Sequence, residues 1–224
     1  DSNFMGTGVR VAFGLNSGRY SDVYSFAHTD PYRTVDNLSR TVSLTYRDIK
    51  QFVSASSDFS SETISAGIDY SYPITEFQYL RFGVTLQRAQ ILTNSFGSAA
   101  QAQEWVRNNG DSFTETVDDG FGGSITFDGT KFNTAELLVG WTYNTLNRAL
   151  FPDRGTRHTL SLSYAAPGVS DVEYWVTNYE FLKFIPIYRR WALAFNAELG
   201  YGEDVGETTA LPPYRQFFAG GPGS

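Results

Sequence analysis

The residue types that most often carry catalysis or bind metals are scarce in this chain. It has two histidines, His28 and His158, and no cysteine, which excludes disulfides, zinc–thiolate sites and thiol catalysis. A serine hydrolase would need one histidine to face a serine and to be oriented by a carboxylate. Asp30 follows His28 closely, but no spacing motif marks a nucleophile. We therefore expect both histidines to be structural.

Three other short motifs were candidates for ligand binding. Gly6-Thr7-Gly8 is not followed by the strand-to-helix unit that a dinucleotide fingerprint requires. The acidic pairs Asp118-Asp119 and Glu203-Asp204 could attract a cation, but neither has the spacing of a calcium loop. The sequence therefore predicts no catalytic residue, no cofactor-binding residue, no metal ligand and no enzyme.

Composition narrows the class of protein further. The 224 residues carry a formal charge of −7, so no basic surface is expected to bind nucleic acid. Aromatic residues reach 16% while charged residues are only 18%. The chain contains no run of about 18 apolar residues, so its sequence predicts neither a transmembrane helix nor a signal-peptide core. That absence does not exclude a membrane barrel, whose strands expose apolar residues only at alternate positions.

Alternation of apolar and polar residues recurs along almost the whole chain and predicts nine β-strands. These are Gly8–Asn16, Tyr20–Thr29, Arg40–Arg47, Thr63–Tyr72, Leu80–Gln87, Glu136–Asn144, Leu160–Tyr164, Val172–Ile185 and Trp191–Gly202. Tight turns at 73–76 and 186–189 contrast with a long polar excursion at 95–132, in which Ala99–Asn108 is the one predicted helix. Short turns at one rim and long loops at the other are typical of outer-membrane barrels.

A soluble β-sandwich would also alternate, so it stays open as an alternative. Its solvent face should be rich in Lys and Glu, whereas this chain has only three lysines, at 50, 131 and 183. The pattern therefore favours a transmembrane antiparallel β-barrel. Its lipid-facing set is predicted to include Phe13, Leu44, Ile68, Phe82, Trp141, Leu162 and Phe195.

Five glycines fall on the polar faces of the predicted strands, near their middles: Gly14, Gly67, Gly83, Gly140 and Gly200. Glycine inside a strand often marks a bend or a close backbone approach. The sequence leaves two interpretations open. The glycines relieve crowding where the sheet curves, or another segment packs against them.

One turn carries a specific family resemblance. The residues Trp141, Tyr143, Asn144, Arg148, Phe151, Pro152 and Gly155 read as a strand end, a turn and the start of the next strand. Their pattern resembles the W-T-Y-N-x-L-(D/N)-R-x-x-F-P-x-x-G-x-R segment of the BamA family, the central subunits of the outer-membrane β-barrel assembly machinery. Asn147 stands where aspartate is commoner in that family.

Three further places agree with this resemblance. Residues 1–8 resemble the turn into the family's third barrel strand, and residues 30–36 resemble its N-P-Y-x-T-x-D turn. The tail Pro213–Gly221, with Tyr214, Phe217, Phe218, Ala219, Gly220 and Gly221, resembles the start of the family's sixth extracellular loop. The chain stops at Ser224, before the arginine motif that follows in the family.

The resemblance implies that residues 1–224 form a single partial barrel domain, about strands three to eleven of sixteen, without the periplasmic POTRA domains. It implies a non-enzymatic factor of the Gram-negative outer membrane that inserts and folds β-barrel proteins through a lateral seam, with no cofactor. Implied partners are the lipid bilayer and lipopolysaccharide, nascent outer-membrane proteins and accessory lipoproteins. A translocation-and-assembly or two-partner-secretion transporter, or a passive porin, stays an alternative.

The tail and the glycines together give one further expectation. Residues 211–224 are rich in Pro and Gly, which extend a strand ladder poorly. They also carry three aromatic rings, whose exposure to water would be unfavourable. The family's sixth loop folds back into the barrel. We therefore expect this loop to pack inward, against the wall that the five glycines leave free of side chains.

Overall fold

The computed structural model describes residues 4–18, 21–34, 36–49, 60–94, 98, 100–118, 124–188 and 191–216. Within these ranges the chain forms ten strands, one α-helix and two short 3-10 turns, Phe4–Gly6 and Pro213–Arg215. The strands are β1 Arg10–Ser17, β2 Ser21–Asp30, β3 Ser39–Ile49, β4 Ser60–Thr75, β5 Gln78–Asn94, β6 Asp111–Asp118, β7 Ser124–Asn144, β8 Gly155–Ala165, β9 Tyr174–Tyr188 and β10 Trp191–Asp204; the helix α1 spans Ala100–Asn108.

All ten strands belong to one antiparallel sheet in the order β1-β2-β3-β4-β5-β7-β8-β9-β10, with β6 paired to β7 outside this path. The meander of nine strands is the predicted one, and a single sheet rules out the two packed sheets of a sandwich. Helix α1 confirms the predicted helix over its described residues, Ala100–Asn108, and is followed by Gly110 at φ 69°. No described helix is long and apolar enough to span a membrane.

The long excursion contains more strand than the sequence indicated. Its residues 111–118 form β6, and β7 begins at Ser124 rather than near 136. The two strands make a hairpin from Asp111↔Lys131 to Asp118↔Ser124. Glu115 interrupts the apolar face that Phe113 and Val117 would otherwise form, so the strand pattern there is weak. Backbone pairing with the extended β7 stabilises this strand instead.

Consecutive antiparallel pairing places the connections alternately at two rims. Connections after β1, β3, β5, β8 and β10 lie at one rim, which we call the loop rim because α1 and the β6–β7 hairpin belong to it. Connections after β2, β4, β7 and β9 lie at the other, the turn rim. The turn between β4 and β5, at 76–77, is one of these.

The two faces of the sheet differ in the way that alternation predicts. One face, the outer face, exposes large apolar side chains, with Phe13 73%, Leu44 54%, Phe82 42%, Leu162 38% and Phe195 49% accessible. Ile68 and Trp141, also in the predicted lipid-facing set, belong to this face and are half-buried. The other face, the inner face, carries small polar residues and glycines. It also receives residues Thr208–Gln216 after β10, which we call the docked segment.

The buried core lies between the inner face and the docked segment, close to the loop rim. Its members come from β5, β7, β8, β9, the loop before β9 and α1: Ala89, Ile91, Trp105, Val106, Phe132, Ala165, Val172, Tyr174 and Val176. Leu211 and Tyr214 of the docked segment pack against this cluster. The core therefore packs the docked segment against the inner face of the sheet and does not lie between two sheets.

Candidate functional site

The docked segment leaves the sheet because its sequence cannot continue a strand. Pro212 and Pro213 lack the N–H groups that a ladder needs, and both are buried. The chain turns there, with Arg215 N–H donating to the carbonyl oxygen of Pro212 at 2.8 Å. This 3-10 turn aims Tyr214 and Arg215 at the inner face.

Helix α1 and Asn109, which follows it directly, hold the first half of the docked segment. Trp105 Nε1 donates to the carbonyl oxygen of Ala210 at 2.8 Å. Asn109 Nδ2 donates to Thr209 Oγ1 at 2.8 Å, and Asn109 Oδ1 accepts from Thr209 N–H at 3.0 Å. The 100-residue separation of these partners makes them a tertiary clamp between two connections of the loop rim.

A charged cluster holds the second half. Arg215 Nη2 lies 2.5 Å from Glu136 Oε2, on β7. Tyr174 Oη, on β9, donates to Glu136 Oε2 at 2.9 Å and accepts from Arg215 Nε at 3.2 Å. The side chain of Glu136 is 10% accessible and that of Arg215 is 32% accessible. Because a buried carboxylate without a partner is costly, each of these groups depends on the other two.

Aromatic packing surrounds this charged cluster. The Tyr214 ring stacks on Phe132 with centroids 6.2 Å apart and an interplanar angle of 3°. Phe132 in turn meets the edge of Trp105, with centroids 5.5 Å apart. Burial, with the neighbouring Tyr174 phenol as a second cause, raises the pKa of Tyr214 well above 10. Tyr214 is therefore a neutral anchor at physiological pH.

A cavity of about 440 Å³ lies beside the anchor, between it and the inner faces of β3, β4 and β5. Its lining is mostly hydroxyl, amide and guanidinium groups with a few apolar side chains: Thr45, Arg47, Ile49, Ser61, Thr63, Ser65, Gln87, Ala89, Ile91, Tyr214 and Arg215. A polar cavity beside an inward-packed segment is the interior expected of an outer-membrane barrel.

Four of the five predicted inward glycines meet neighbouring strands. A Cβ on Gly83 would overlap Asp69 Oδ1 and lie 3.0 Å from a β4 carbonyl oxygen. One on Gly67 would lie 3.0 Å from Thr85 Oγ1. Gly14 faces a serine on β2, and Gly140 has β5 and β8 atoms at 3.6 and 3.7 Å. The distances at Gly83, Gly67 and Gly14 agree with relief of crowding within the sheet, whereas a Cβ on Gly140 would make only ordinary van der Waals contacts.

The glycine that the docked segment meets is a different one. A Cβ on Gly202 would lie 3.2 Å from Leu211 Cδ1. Gly200, the fifth predicted glycine, lies on the same face of β10, opposite Asn178. The predicted loop residues Phe217, Phe218, Ala219, Gly220 and Gly221 lie outside the described residues. Docking against the glycine wall therefore stays a prediction for that part of the loop.

The family turn motif forms a braced loop at the turn rim. Asn147 supplies the brace: its Nδ2 donates to Asp153 Oδ1 at 2.7 Å, and its Oδ1 accepts from the N–H groups of Asp153 and Arg154 at 3.2 and 3.3 Å. Gly155 adopts φ 111°, and a Cβ there would overlap the carbonyl oxygen of Thr145. Asn147 stands where aspartate is commoner in the family that the motif resembles. Its amide both donates and accepts hydrogen bonds within the turn.

Other members of the motif have separate positions. Asn144 Oδ1 accepts from the Leu146 N–H at 3.1 Å, and Arg148 lies 3.9 Å from Asp153. Phe151 has φ 53° and is 89% accessible, next to the half-buried Pro152. The motif's main contribution is a fixed turn geometry.

The rings of the motif lie in an aromatic cluster on the outer face. Trp141 and Tyr143 stack with centroids 6.4 Å apart, and His158 packs against both. His158 Nδ1 and Tyr179 Oη are hydrogen-bonded at 2.8 Å. His28 lies on β2 between Val11 and Val42. No group of three or more His, Cys, Asp or Glu that could hold a metal occurs within the described ranges.

Sequence reasoning missed the charged cluster. Glu136 lies on a face of Ser, Thr and Gly, and Arg215 lies in a tail whose aromatic rings were the feature that predicted docking. A signal was present, because an acidic residue at an inner position of a sparsely charged strand needs a partner. Nothing in the sequence indicated which of the arginines supplies it.

The chain matches known proteins over nearly its whole length. The model of the Omp85 superfamily domain matches residues 3–224. The outer membrane protein assembly factor BamA of Neisseria meningitidis serogroup B is 27% identical over 225 residues, which cover 99% of this chain and 26% of that protein. The crystal structure of Haemophilus ducreyi BamA lacking POTRA domains 1–3 superposes with a TM-score of 0.81 at 24% identity, over 99% of this chain and 40% of that one.

These matches do not favour a porin or a secretion transporter. The chain spans about a quarter of the length of the curated relative, so it corresponds to a part of that protein. On the family match over residues 3–224, this chain belongs to the Omp85 superfamily.

Proposed function

We propose that the protein to which this chain belongs assembles the outer membrane of a Gram-negative bacterium by inserting and folding β-barrel proteins. The observation that carries this proposal is the alignment of 99% of the chain with a relative named an outer membrane protein assembly factor. The chain supplies a wall of the barrel and the start of an inward loop. Its outer face contacts lipid, which is the environment that its exposed apolar side chains require.

The proposed mechanism needs no covalent chemistry. In a bilayer every backbone N–H and C=O needs a hydrogen-bond partner, so an incoming strand can enter only where an edge offers them. A barrel seam that opens sideways offers such an edge by β-augmentation. We infer that the function is non-enzymatic and needs no cofactor, and that this chain braces the barrel opposite or beside such a seam.

The docked segment would support this role by fixing a loop inside the lumen. Arg215, Glu136 and Tyr174 connect it to two wall strands, and Trp105 connects it to α1. A loop held at both ends keeps the lumen polar and narrow while a seam moves. We also propose that the residues beyond Gln216 continue this inward path and that the motif turn at 141–155 keeps β7 and β8 in register.

The proposed partners follow from this placement. Nascent outer-membrane proteins are the substrates, and the bilayer with its lipopolysaccharide is the surrounding medium. Accessory lipoproteins would bind through parts of the full-length protein that this chain does not include.

Reconstitution of the full-length protein in proteoliposomes tests the function. We expect folding of an added, unfolded outer-membrane barrel to be accelerated over protein-free liposomes, measured by the gel mobility shift of the folded barrel. The control is a full-length barrel of another family, such as a porin, at equal density. Equal folding rates with either protein would refute the proposal.

A further inference from the structure

A pair of cations interrupts the apolar surface of the outer face toward the loop rim. On β5 the outward residue after Leu86 is Arg88. On β7 the register places Lys131 opposite Gln90. Arg88 and Lys131 are therefore diagonal neighbours on adjacent strands, close enough for one small anion to contact both long side chains.

Neither cation is neutralised by an ion pair with a described residue. Arg88 makes no side-chain hydrogen bond within the described ranges, and Lys131 Nζ lies 4.9 Å from the centroid of the Phe113 ring. Asp111 pairs with Lys131 through the backbone of β6, without an ion pair between their side chains. The adjacent carboxylate of Glu62 accepts a hydrogen bond from Tyr46 Oη at 3.2 Å. Both cations are exposed, so their charges face the surroundings of the barrel wall.

The two side chains border a recess rather than a flat surface. A cavity of about 180 Å³ opens between β4, β5 and β7, lined by Glu62, Ile64, Arg88, Ala89, Gln90 and Lys131. Its lining combines two cations, which outnumber the single carboxylate of Glu62, with the Gln90 amide and the apolar side chains of Ile64 and Ala89. Such a lining fits a phosphate group whose attached chains continue over the apolar band.

The height of the recess matches a headgroup position. Gln78, paired with Tyr143, lies at the aromatic margin near the turn rim, and Arg88 lies ten positions farther along β5. At about 3.3 Å per residue and a tilt of about 40°, ten residues rise about 25 Å, the height of the apolar band of such barrels. Arg88 and Lys131 therefore lie where the apolar band ends.

The distribution of charged residues on the outer face distinguishes the recess at Arg88 and Lys131 from the rest of the loop-rim side. Toward the loop rim the other outward charged residues of the described strands are acidic, namely Asp22, Asp48, Glu62, Asp111, Glu115 and Glu203. The remaining outward cations, Arg40 and Lys183, lie toward the turn rim. Within the described strands, Arg88 and Lys131 are thus the only outward cations on the loop-rim side, in a chain of net charge −7.

We propose that Arg88 and Lys131 form a binding site for the phosphate group of a lipid in the outer leaflet. The proposal rests on the proposed outer-membrane location, with the loop rim outside. The Arg88 guanidinium donates two hydrogen bonds to phosphate oxygens, and the Lys131 ammonium contributes a point charge and a third donor. Acyl chains of the lipid then cover Ile64 and Leu86 below the recess.

The test compares lipid retention by the full-length protein and its variants. Native mass spectrometry of the detergent-solubilised protein counts bound diphosphoryl lipid A during titration. We expect the Arg88→Gln, Lys131→Gln double variant to bind about tenfold more weakly, because it lacks both cationic donors to the phosphate. The matched control, Arg40→Gln with Lys183→Gln, removes two outward cations at the other rim and should bind like the parent protein.

Each other outcome decides against the site. Equal affinity of the two double variants, or an equal reduction in both, would overturn the proposal. Retention of a dephosphorylated lipid A analogue at the same level would show that acyl chains alone bind. Displacement by millimolar inorganic phosphate would indicate a free-anion site instead of a lipid site.

The folding of every variant is checked by the gel mobility shift of the folded barrel. If the double variant does not fold, the single variant Arg88→Gln is tested in its place. Barrel assembly in proteoliposomes is measured in parallel. Failure of the parent protein in that assay speaks against the proposed function, whereas unchanged lipid A binding by the double variant speaks only against this site.

Discussion

Replacing Arg215 by Met should release the docked segment from the inner face while leaving the sheet folded. The substitution preserves most of the side-chain length and removes the charge that Glu136 and Tyr174 surround. Glu136, only 10% accessible, would keep a single described partner, the Tyr174 hydroxyl. The structure thus predicts a buried carboxylate that is only partly satisfied.

The size of the effect follows from the hydrogen bonds that the substitution removes. Arg215 makes two hydrogen bonds in the cluster, one of them to an anion, and charged hydrogen bonds contribute about 1.5–3 kcal/mol. Because Arg215 is 32% accessible, water replaces part of this stabilisation. We expect the free energy of docking to fall by about 2–3 kcal/mol, which raises the undocked population about 30- to 150-fold.

Cysteine labelling in the full-length protein measures this population. The chain has no cysteine of its own, so Leu211→Cys places a thiol in the docked segment, next to Gly202. In intact cells a membrane-impermeant maleimide should label this thiol much faster in the Arg215→Met background. The matched control is Arg81→Met, which removes the exposed Arg81–Asp69 pair elsewhere on the inner face and should leave the labelling rate unchanged.

A double substitution provides the sharper test. Glu136→Met with Arg215→Met removes both charges, and a buried pair replaced by apolar residues is often close to neutral. Labelling of the double variant should therefore be slower than that of Arg215→Met alone. If Arg215→Met labels within threefold of the parent, or if the double variant labels as fast as the single one, the charged cluster does not hold the segment.

Three further substitutions test other parts of the structure. Phe82→Arg, on the outer face, should lower the free energy of unfolding in lipid by about 2–4 kcal/mol, and Thr85→Arg, on the inner face, by much less; equal decreases in urea titrations would mean that the faces are misassigned. Gly155→Ala should destabilise the motif turn by more than Gly168→Ala, since both have positive φ but only at Gly155 would the new Cβ overlap a carbonyl oxygen; thermal unfolding of the two variants gives the comparison. Trp105→Phe should weaken docking by about 1 kcal/mol because the indole donor is removed, and hydrogen exchange of the docked segment that is as slow as in the parent would contradict this.

The sequence by itself determined the faces and the order of the strands. Side chains alternate with a period of two, so a run such as Leu80–Gln87 can bury or expose only one of its two sets. The apolar set had to share one environment, and the Ser, Thr and Gly set the other. Strands that follow one another in the alternating pattern then pair as neighbours, across the tight turn at 76–77 and across longer connections alike, and the predicted nine-strand meander was confirmed.

Local chemistry also predicted the helix and the motif turn. The helix at 100–108 ends before Gly110, whose left-handed φ suits a glycine. At Gly155 the positive φ and the close approach of the Thr145 carbonyl oxygen both require a residue without a Cβ. These features depend on a few consecutive residues, so a sequence pattern can indicate them.

Only the tertiary structure decided which inward residues meet. Glu136 and Arg215 are 79 residues apart, and Tyr174 and Arg215 are 41 apart. Alternation assigns each residue to a face but does not set the register across strands or the place where a loop returns. The docked segment meets Gly202 rather than Gly140 because the path after β10 is fixed by α1 and the charged cluster. Contacts between distant segments depend on sheet curvature and loop closure, which no local pattern encodes.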